Sequence, residues 1–220
     1  MLDDSMRNVK DTVIHPLVSG FCRLGVSPTA VTALGFVVGL GAAAAAAAAF
    51  WILAASLWLV NRVLDGIDGA LARWCGLEGD LGGYLDLMAD FTVYTALPLG
   101  IAVGISGILP WAGAGEPGQA VFMGETVWPA TAFVLGAFYI NSASWMYLAA
   151  ILEKRQTASP HVTAVVMPKG FIEGTETIIF FMAVLIFPQF APLLLWLFGL
   201  CVMVSGVLRV RWWIKCTSKA

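Results

Sequence analysis

From Pro28 to Val60 the chain carries no charged residue, a run too long for one membrane-spanning helix and too apolar for the surface of a soluble domain. A helix crossing hydrocarbon needs ~20 apolar residues, because every backbone N–H and C=O must be satisfied within the segment itself. We therefore divide the run near Phe50 and Trp51. Ser27-Pro28, a capping residue followed by a first-turn proline, opens the first helix. The alanines from Ala42 to Ala49 give it a thin surface that permits close helix packing.

The same reading along the chain predicts spans at roughly 28–49, 51–75, 84–109, 127–152, 170–187 and 191–213, with Pro188 and Pro192 marking the last turn. Composition supports the bilayer as solvent: 60% of residues are apolar and 12% charged, against ~25% charged in soluble domains. The expected fold is an all-α integral membrane bundle of six transmembrane helices, one domain covering 1–220. Residues 1–27 form an N-terminal segment in which Met6, Val9, Val13 and Leu17 recur at helical spacing, the pattern of an amphipathic interfacial helix.

The 12 Lys and Arg agree with one orientation under the positive-inside rule. Arg7, Lys10 and Arg23 precede the first span, and Arg62 and Arg73 lie toward the end of the second. Lys154, Arg155 and Lys169 bracket the fourth loop, and Arg209, Arg211, Lys215 and Lys219 close the chain. Both termini are thus expected in the cytoplasm, with Pro110 to Thr126 outside. A net charge of -2 argues against nucleic-acid binding. Cys22, Cys75, Cys201 and Cys216 form no CxxC pair and read as free thiols, with no zinc or redox motif.

Intramembrane carboxylates are costly and tend to be functional. Asp65 and Asp68 stand at i, i+3 on the second helix, and Asp86 and Asp90 at i, i+4 on the third, so each pair shares a face. The short link from Gly76 to Gly83 makes the two helices antiparallel neighbours and brings the pairs to one cytoplasmic end. Four carboxylates without a matching cation repel unless a metal neutralises them, and all-oxygen ligation suits Mg²⁺, Mn²⁺ or Ca²⁺ rather than zinc. A pair of such ions supports phosphoryl transfer. Gly66, Gly69 and Ala72 keep the helix slim for a nucleotide or a neighbouring backbone, and Arg73 can pair with a phosphate oxygen. The residues alone give four metal ligands without saying which is the base.

From Asp65 to Asp90 the sequence follows DxxDGxxAR(x8)GxxxDxxxD without a gap, eight fixed positions over 26 residues. In this it resembles the CDP-alcohol phosphotransferase family. The resemblance implies that Asp65, Asp68 and Asp86 bind two divalent cations, Mg²⁺ or Mn²⁺. It implies that Asp90 touches metal and deprotonates the acceptor, and that Gly69, Ala72, Arg73 and Gly82 shape the CDP pocket. The expected reaction moves a phosphatidyl group from CDP-diacylglycerol to a small alcohol with release of CMP. The setting is the cytoplasmic side of a bacterial or archaeal membrane. A choline- or ethanolamine-type reaction between a soluble CDP-alcohol and diacylglycerol is the alternative. A cation transporter and a non-catalytic membrane partner are rivals from other classes, opposed by the clustering of the acids at one face and by retention of every motif aspartate.

Two further features concern the acceptor and assembly. Glu173 and Glu176 share a face at the start of the fifth span, where they suit an unphosphorylated polyol or amino alcohol, although a helix N-terminus also favours Glu by its dipole. Arg155 and Lys169, with Lys154, point instead to a phosphorylated acceptor, or simply to positive-inside bias. Gly35xxxGly39 and Gly100xxxGly104 fit helix packing or a homodimer.

Overall fold

The computed structural model describes the backbone of residues 18–108, 117–158 and 174–217 with the single positions 16 and 172, and, in the second stretch, the side chains of 125–154. The expected amphipathic helix, the loop before the fifth span and part of the external loop lie outside the described residues. The helices are α1 (Pro28–Ala47), α2 (Trp51–Cys75), α3 (Asp80–Ser106), α4 (Pro117–Ala158), α5 (Gly174–Ile186) and α6 (Ala191–Thr217). A helical stretch at 18–23 precedes them, and a 3₁₀ turn, Pro188–Phe190, joins the last two.

The protein is an all-α, multi-span integral membrane bundle. By length and composition the sections Pro28–Ala47, Asp80–Ser106, Glu125–Lys154 and Pro188–Thr217 are long and apolar enough to cross a bilayer. At 25 residues α2 has the length as well, but Arg62, Asp65, Asp68 and Arg73 interrupt its apolar character. The described part of the fifth expected span, α5, is an apolar helix of 13 residues.

Local chemistry explains the boundaries. Ser27 caps α1, its hydroxyl accepting from the Ala30 N–H at 3.2 Å with Pro28 in the first turn. α2 ends at Gly76, which adopts φ 64°, a left-handed closure open to glycine at little cost. The link to α3 is therefore shorter than expected: α3 starts at Asp80, so Gly82 and Gly83 lie in its first turn rather than in a loop. α4 likewise begins at Pro117, inside the stretch expected to be external loop.

α1 packs on α2 and α3, and α4 packs on α6. The contacts α3 with α4 and α2 with α5 join the two groups. Small residues make the first set possible. A Cβ at Gly100 would run into the carbonyl oxygen of Ala43, and one at Gly104 into that of Ala46. A Cβ at Gly39 would stand 2.6 Å from a Val93 methyl, and Gly35 faces Leu64. Both GxxxG pairs thus serve packing within the chain. Gly104→Ala is expected to destabilise the protein by ~1–3 kcal/mol, the usual cost of overpacking, because the obstacle is backbone that cannot rotate away. Gly136→Ala, whose new methyl meets nothing within 4 Å, serves as the control. Thermal unfolding in detergent reads both; equal midpoints would refute the packing account.

Trp58, Phe181 and Phe198 are fully buried at the centre, with Trp58 edge-on to both Tyr94 and Phe181. A smaller cluster of Val18, Val31, Ile67 and Leu71 seats the 18–23 stretch against α1 and α2. This contact corrects the reading of four free thiols. Cys22 and Cys75 form a disulfide with Cα atoms 6.1 Å apart, while Cys201 and Cys216 are free. The pair is 53 residues apart in sequence, so only packing of the N-terminal stretch on the end of α2 brings it together.

Candidate active site

The expected direct pairing of the two motif helices is corrected: α2 and α3 each pack chiefly on α1 rather than on one another. Around α1 they bring all four motif aspartates to one narrow cavity, lined also by Thr32 and Gly35 of α1 and by Asn61 and Arg62 of α2. The i, i+3 and i, i+4 spacings thus do what the helix period dictates. Asp68 is 4% exposed, and its Oδ2 accepts from the Thr32 hydroxyl at 2.7 Å. That hydroxyl also lies 3.2 Å from the Pro28 carbonyl, so Asp68 is the nearer acceptor for its single proton.

The expectation of carboxylates without a matching cation is corrected here. Arg62 lies among them, with Nη2 2.8 Å from Asp90 Oδ1 and Nη1 3.7 Å from Asp65 Oδ2. It is 8% exposed and sits near the middle of α2, so it does not report loop orientation as a positive-inside residue would. Arg209 departs from that reading too: it is buried on α6, and its Nη1 donates to the carbonyl and side-chain oxygens of Asn141 at 2.9 and 3.1 Å. The signal for Arg62 was its position, three residues before Asp65 and on the same helical face.

A second cavity of about 240 Å³ adjoins the first and shares Thr32, Asp68 and Asp86 with it. Gly69, Ala72, Arg73 and Gly82 all line it. Arg73 folds back over its own helix, and a Cβ on Gly69 would stand 3.3 Å from its Nη1. Gly82 and Gly83 differ from Gly69, since a Cβ there meets nothing within 4 Å. Both face the cavity, so their missing side chains leave room for a ligand rather than for protein.

Donor chemistry fits a hard divalent cation, because the facing ligands are carboxylate oxygens with a hydroxyl beside them. Among the described residues no group of three His, Cys, Asp or Glu is arranged as a ready metal cage. One oxygen of Asp68 accepts from Thr32 and one of Asp90 from Arg62.

Of the residues expected at the acceptor, Glu173, Lys169 and the Arg155 side chain lie outside the described residues. Glu176 lies in the first turn of α5 but lines neither cavity of the aspartate site. Its neighbours Gly174 and Thr177 line a third, larger cavity of about 550 Å³, bounded on the other side by Phe91, Tyr94 and Thr95 of α3.

A family model described as CDP-alcohol phosphatidyltransferase matches residues 25–208. The chain is 32% identical over 209 residues to the inner membrane protein YnjF of Escherichia coli (strain K12), covering 93% of this chain and 92% of that one. Its fold resembles that of Mycobacterium tuberculosis phosphatidylinositol phosphate synthase (PgsA1) with CDP-DAG bound, at TM-score 0.65 and 19% identity over 91% of this chain and 92% of that one. The same enzyme in complex with manganese and citrate gives a TM-score of 0.62 at 21% identity, over 90% and 87% of the two chains. At these identities the structural likeness is one of fold.

Proposed function

The chain belongs to the CDP-alcohol phosphatidyltransferase family, and from that premise we propose that it transfers a phosphatidyl group from CDP-diacylglycerol to the hydroxyl of a small alcohol, releasing CMP. The observation that carries this reading is the common wall of the two cavities. Asp68 and Asp86 belong both to the carboxylate cluster and to the pocket that Gly69, Ala72, Arg73 and Gly82 line. A nucleotide diphosphate seated over the glycines meets the carboxylates at its phosphates.

Asp65, Asp68 and Asp86, with Asp90 beside them, are the proposed holders of two divalent cations, Mg²⁺ or Mn²⁺. Bound there, such ions supply charge to offset the pyrophosphate and the departing CMP. Arg73 is placed to pair with a phosphate oxygen, and Gly82 and Gly83 let the donor approach the α3 backbone. Asp90 is the proposed base: its carboxylate accepts the acceptor's hydroxyl proton as the new P–O bond forms and the bond to the CMP oxygen breaks. PgsA1 has been seen with CDP-DAG and with manganese, which supports that donor and metal class for a chain of the same fold.

Glu176, and with it Glu173, Arg155 and Lys169, remain proposed acceptor contacts. The cavity between Tyr94 of α3 and the start of α5 is the space proposed for the acceptor near these residues. We further propose six crossings, one domain over 1–220, an amphipathic N-terminal helix, and a homodimer. Both termini and the active site are placed on the cytoplasmic side of the bacterial or archaeal membrane. The pairing of a soluble CDP-alcohol with diacylglycerol is the second reading of the same site.

One assay tests the reaction. Purified protein is incubated with CDP-diacylglycerol and Mn²⁺ or Mg²⁺ against a panel of alcohols, and CMP is measured. Metal-dependent CMP release with one acceptor class is expected. Release only from a soluble CDP-alcohol with diacylglycerol selects the second reading, and none from either refutes both. In the same assay Glu176→Gln is expected to raise the acceptor KM about tenfold, the worth of one hydrogen bond near 1.4 kcal/mol, with the donor KM unchanged. Unaltered acceptor kinetics would remove Glu176 from the pocket.

A further inference from the structure

Asp90 differs from the other three aspartates in what holds it. Its Oδ1 takes a direct charge-assisted hydrogen bond from Arg62 Nη2 at 2.8 Å, and Arg62 is itself fixed from every side. Nε donates to Asn61 Oδ1 at 2.8 Å and Nη1 to the Tyr94 hydroxyl at 3.0 Å. The guanidinium lies 4.7 Å from the centre of the Trp58 ring and 4.9 Å from that of Tyr94. Asn61 is anchored in turn, donating from Nδ2 to the Gly35 carbonyl of α1 at 2.8 Å, and Trp58 donates to the Ile178 carbonyl of α5 at 3.4 Å. Four helices therefore bear on one side chain.

We infer that Arg62 is a positioning residue for the transfer: it grips Asp90 by one carboxylate oxygen, withholding that aspartate from full metal ligation and presenting its other oxygen to the acceptor hydroxyl. The inference rests on the proposed reaction and on Asp90 as its base. The geometry supplies what the sequence lacks, an asymmetry among four similar carboxylates. Only a guanidinium serves, since its planar fork reaches Asn61, Tyr94 and Asp90 together while stacking on two rings. An ammonium keeps the charge and loses the fork.

The test uses the full-length protein in detergent, with Arg62→Gln and Arg62→Lys, and reads Mn²⁺ binding by electron paramagnetic resonance as well as CMP release. In Arg62→Gln a repelling cation is gone and Asp90 is free to turn, so Mn²⁺ is expected to bind about tenfold more tightly. Turnover falls ~10²-fold as the base loses its orientation, and the donor KM stays within about threefold. Arg62→Lys keeps Mn²⁺ affinity near that of the parent but loses turnover about tenfold, the charge being present and the fork absent. A purely structural role predicts the reverse for the metal: weaker Mn²⁺ binding along with a lowered melting temperature. Unchanged or weaker Mn²⁺ binding by Arg62→Gln, in protein whose parent releases CMP, overturns the assignment, as does full turnover of that variant. No CMP release from the parent refutes the proposed function instead, and with it the role of Asp90 on which this inference stands.

Discussion

Asp86→Ala is expected to lose CMP release by ~10³-fold or more, since charge stabilisation by a bound ion is worth several kcal/mol and each 1.36 kcal/mol is a factor of ten. Asp86 is the choice because it lines both cavities at once. Losing it removes a carboxylate from the metal cluster and from the wall that a nucleotide diphosphate meets. Stimulation by Mn²⁺ or Mg²⁺ should vanish with turnover, and Mn²⁺ binding should weaken in the absence of substrate. Asp80→Ala is the control, an exposed carboxylate in the first turn of the same helix. Its metal response should match the parent's. Full turnover of Asp86→Ala in excess chelator would end the two-metal reading and leave the carboxylates as substrate contacts or structural pairs.

The core of this site was legible because helix geometry converts spacing into placement. Asp65 with Asp68, and Asp86 with Asp90, fall on one face each whatever surrounds them, and the packing of both helices on α1 turns those faces to one cavity. The placement of Gly69, Ala72, Arg73 and Gly82 around one cavity follows from the same two helices. What could not be read depends on contacts between distant segments. Thr32 reaches Asp68 from 36 residues away, and nothing in its neighbourhood sets it apart from other helix-facing threonines. Cys22 meets Cys75 for a similar reason.

Arg62 is visible in the sequence as a basic residue inside the expected 51–75 span, and the positive-inside rule assigns it an orientation role. Its partners Asp90 and Tyr94 lie 28 and 32 residues away on α3, so its place among the carboxylates comes only from packing. The same charged residues bear on the span count: α2 coincides with the expected span 51–75 and is long enough to cross, but the residues that build the site dilute its apolar pattern. Helix α3 also begins earlier than its apolar run, at Asp80, because Gly79 stands extended before it and the polar first turn is still helical.

Asp90→Asn is expected to lower turnover by ~10²–10⁴-fold, the range usual for removing a general base, while donor affinity stays within about tenfold of the parent. Asparagine suits the purpose because its side-chain oxygen still accepts from Arg62 Nη2, the contact that fixes Asp90 at 2.8 Å. The tie survives and the basicity is lost. An alcohol with its proton in place is a poor nucleophile, and an amide cannot take that proton as the P–O bond forms. Asp90→Ala makes the comparison sharper: it also strips Arg62 of its partner, leaves a buried guanidinium less well compensated, and should lower the melting temperature where Asp90→Asn does not. Donor affinity by calorimetry and CMP release should be measured on one preparation of each protein. If donor binding and turnover collapse together in Asp90→Asn, Asp90 is chiefly a metal ligand and Arg62 does not separate it from the other three. If turnover is unaffected, the acceptor proton leaves by another route and the base assignment fails.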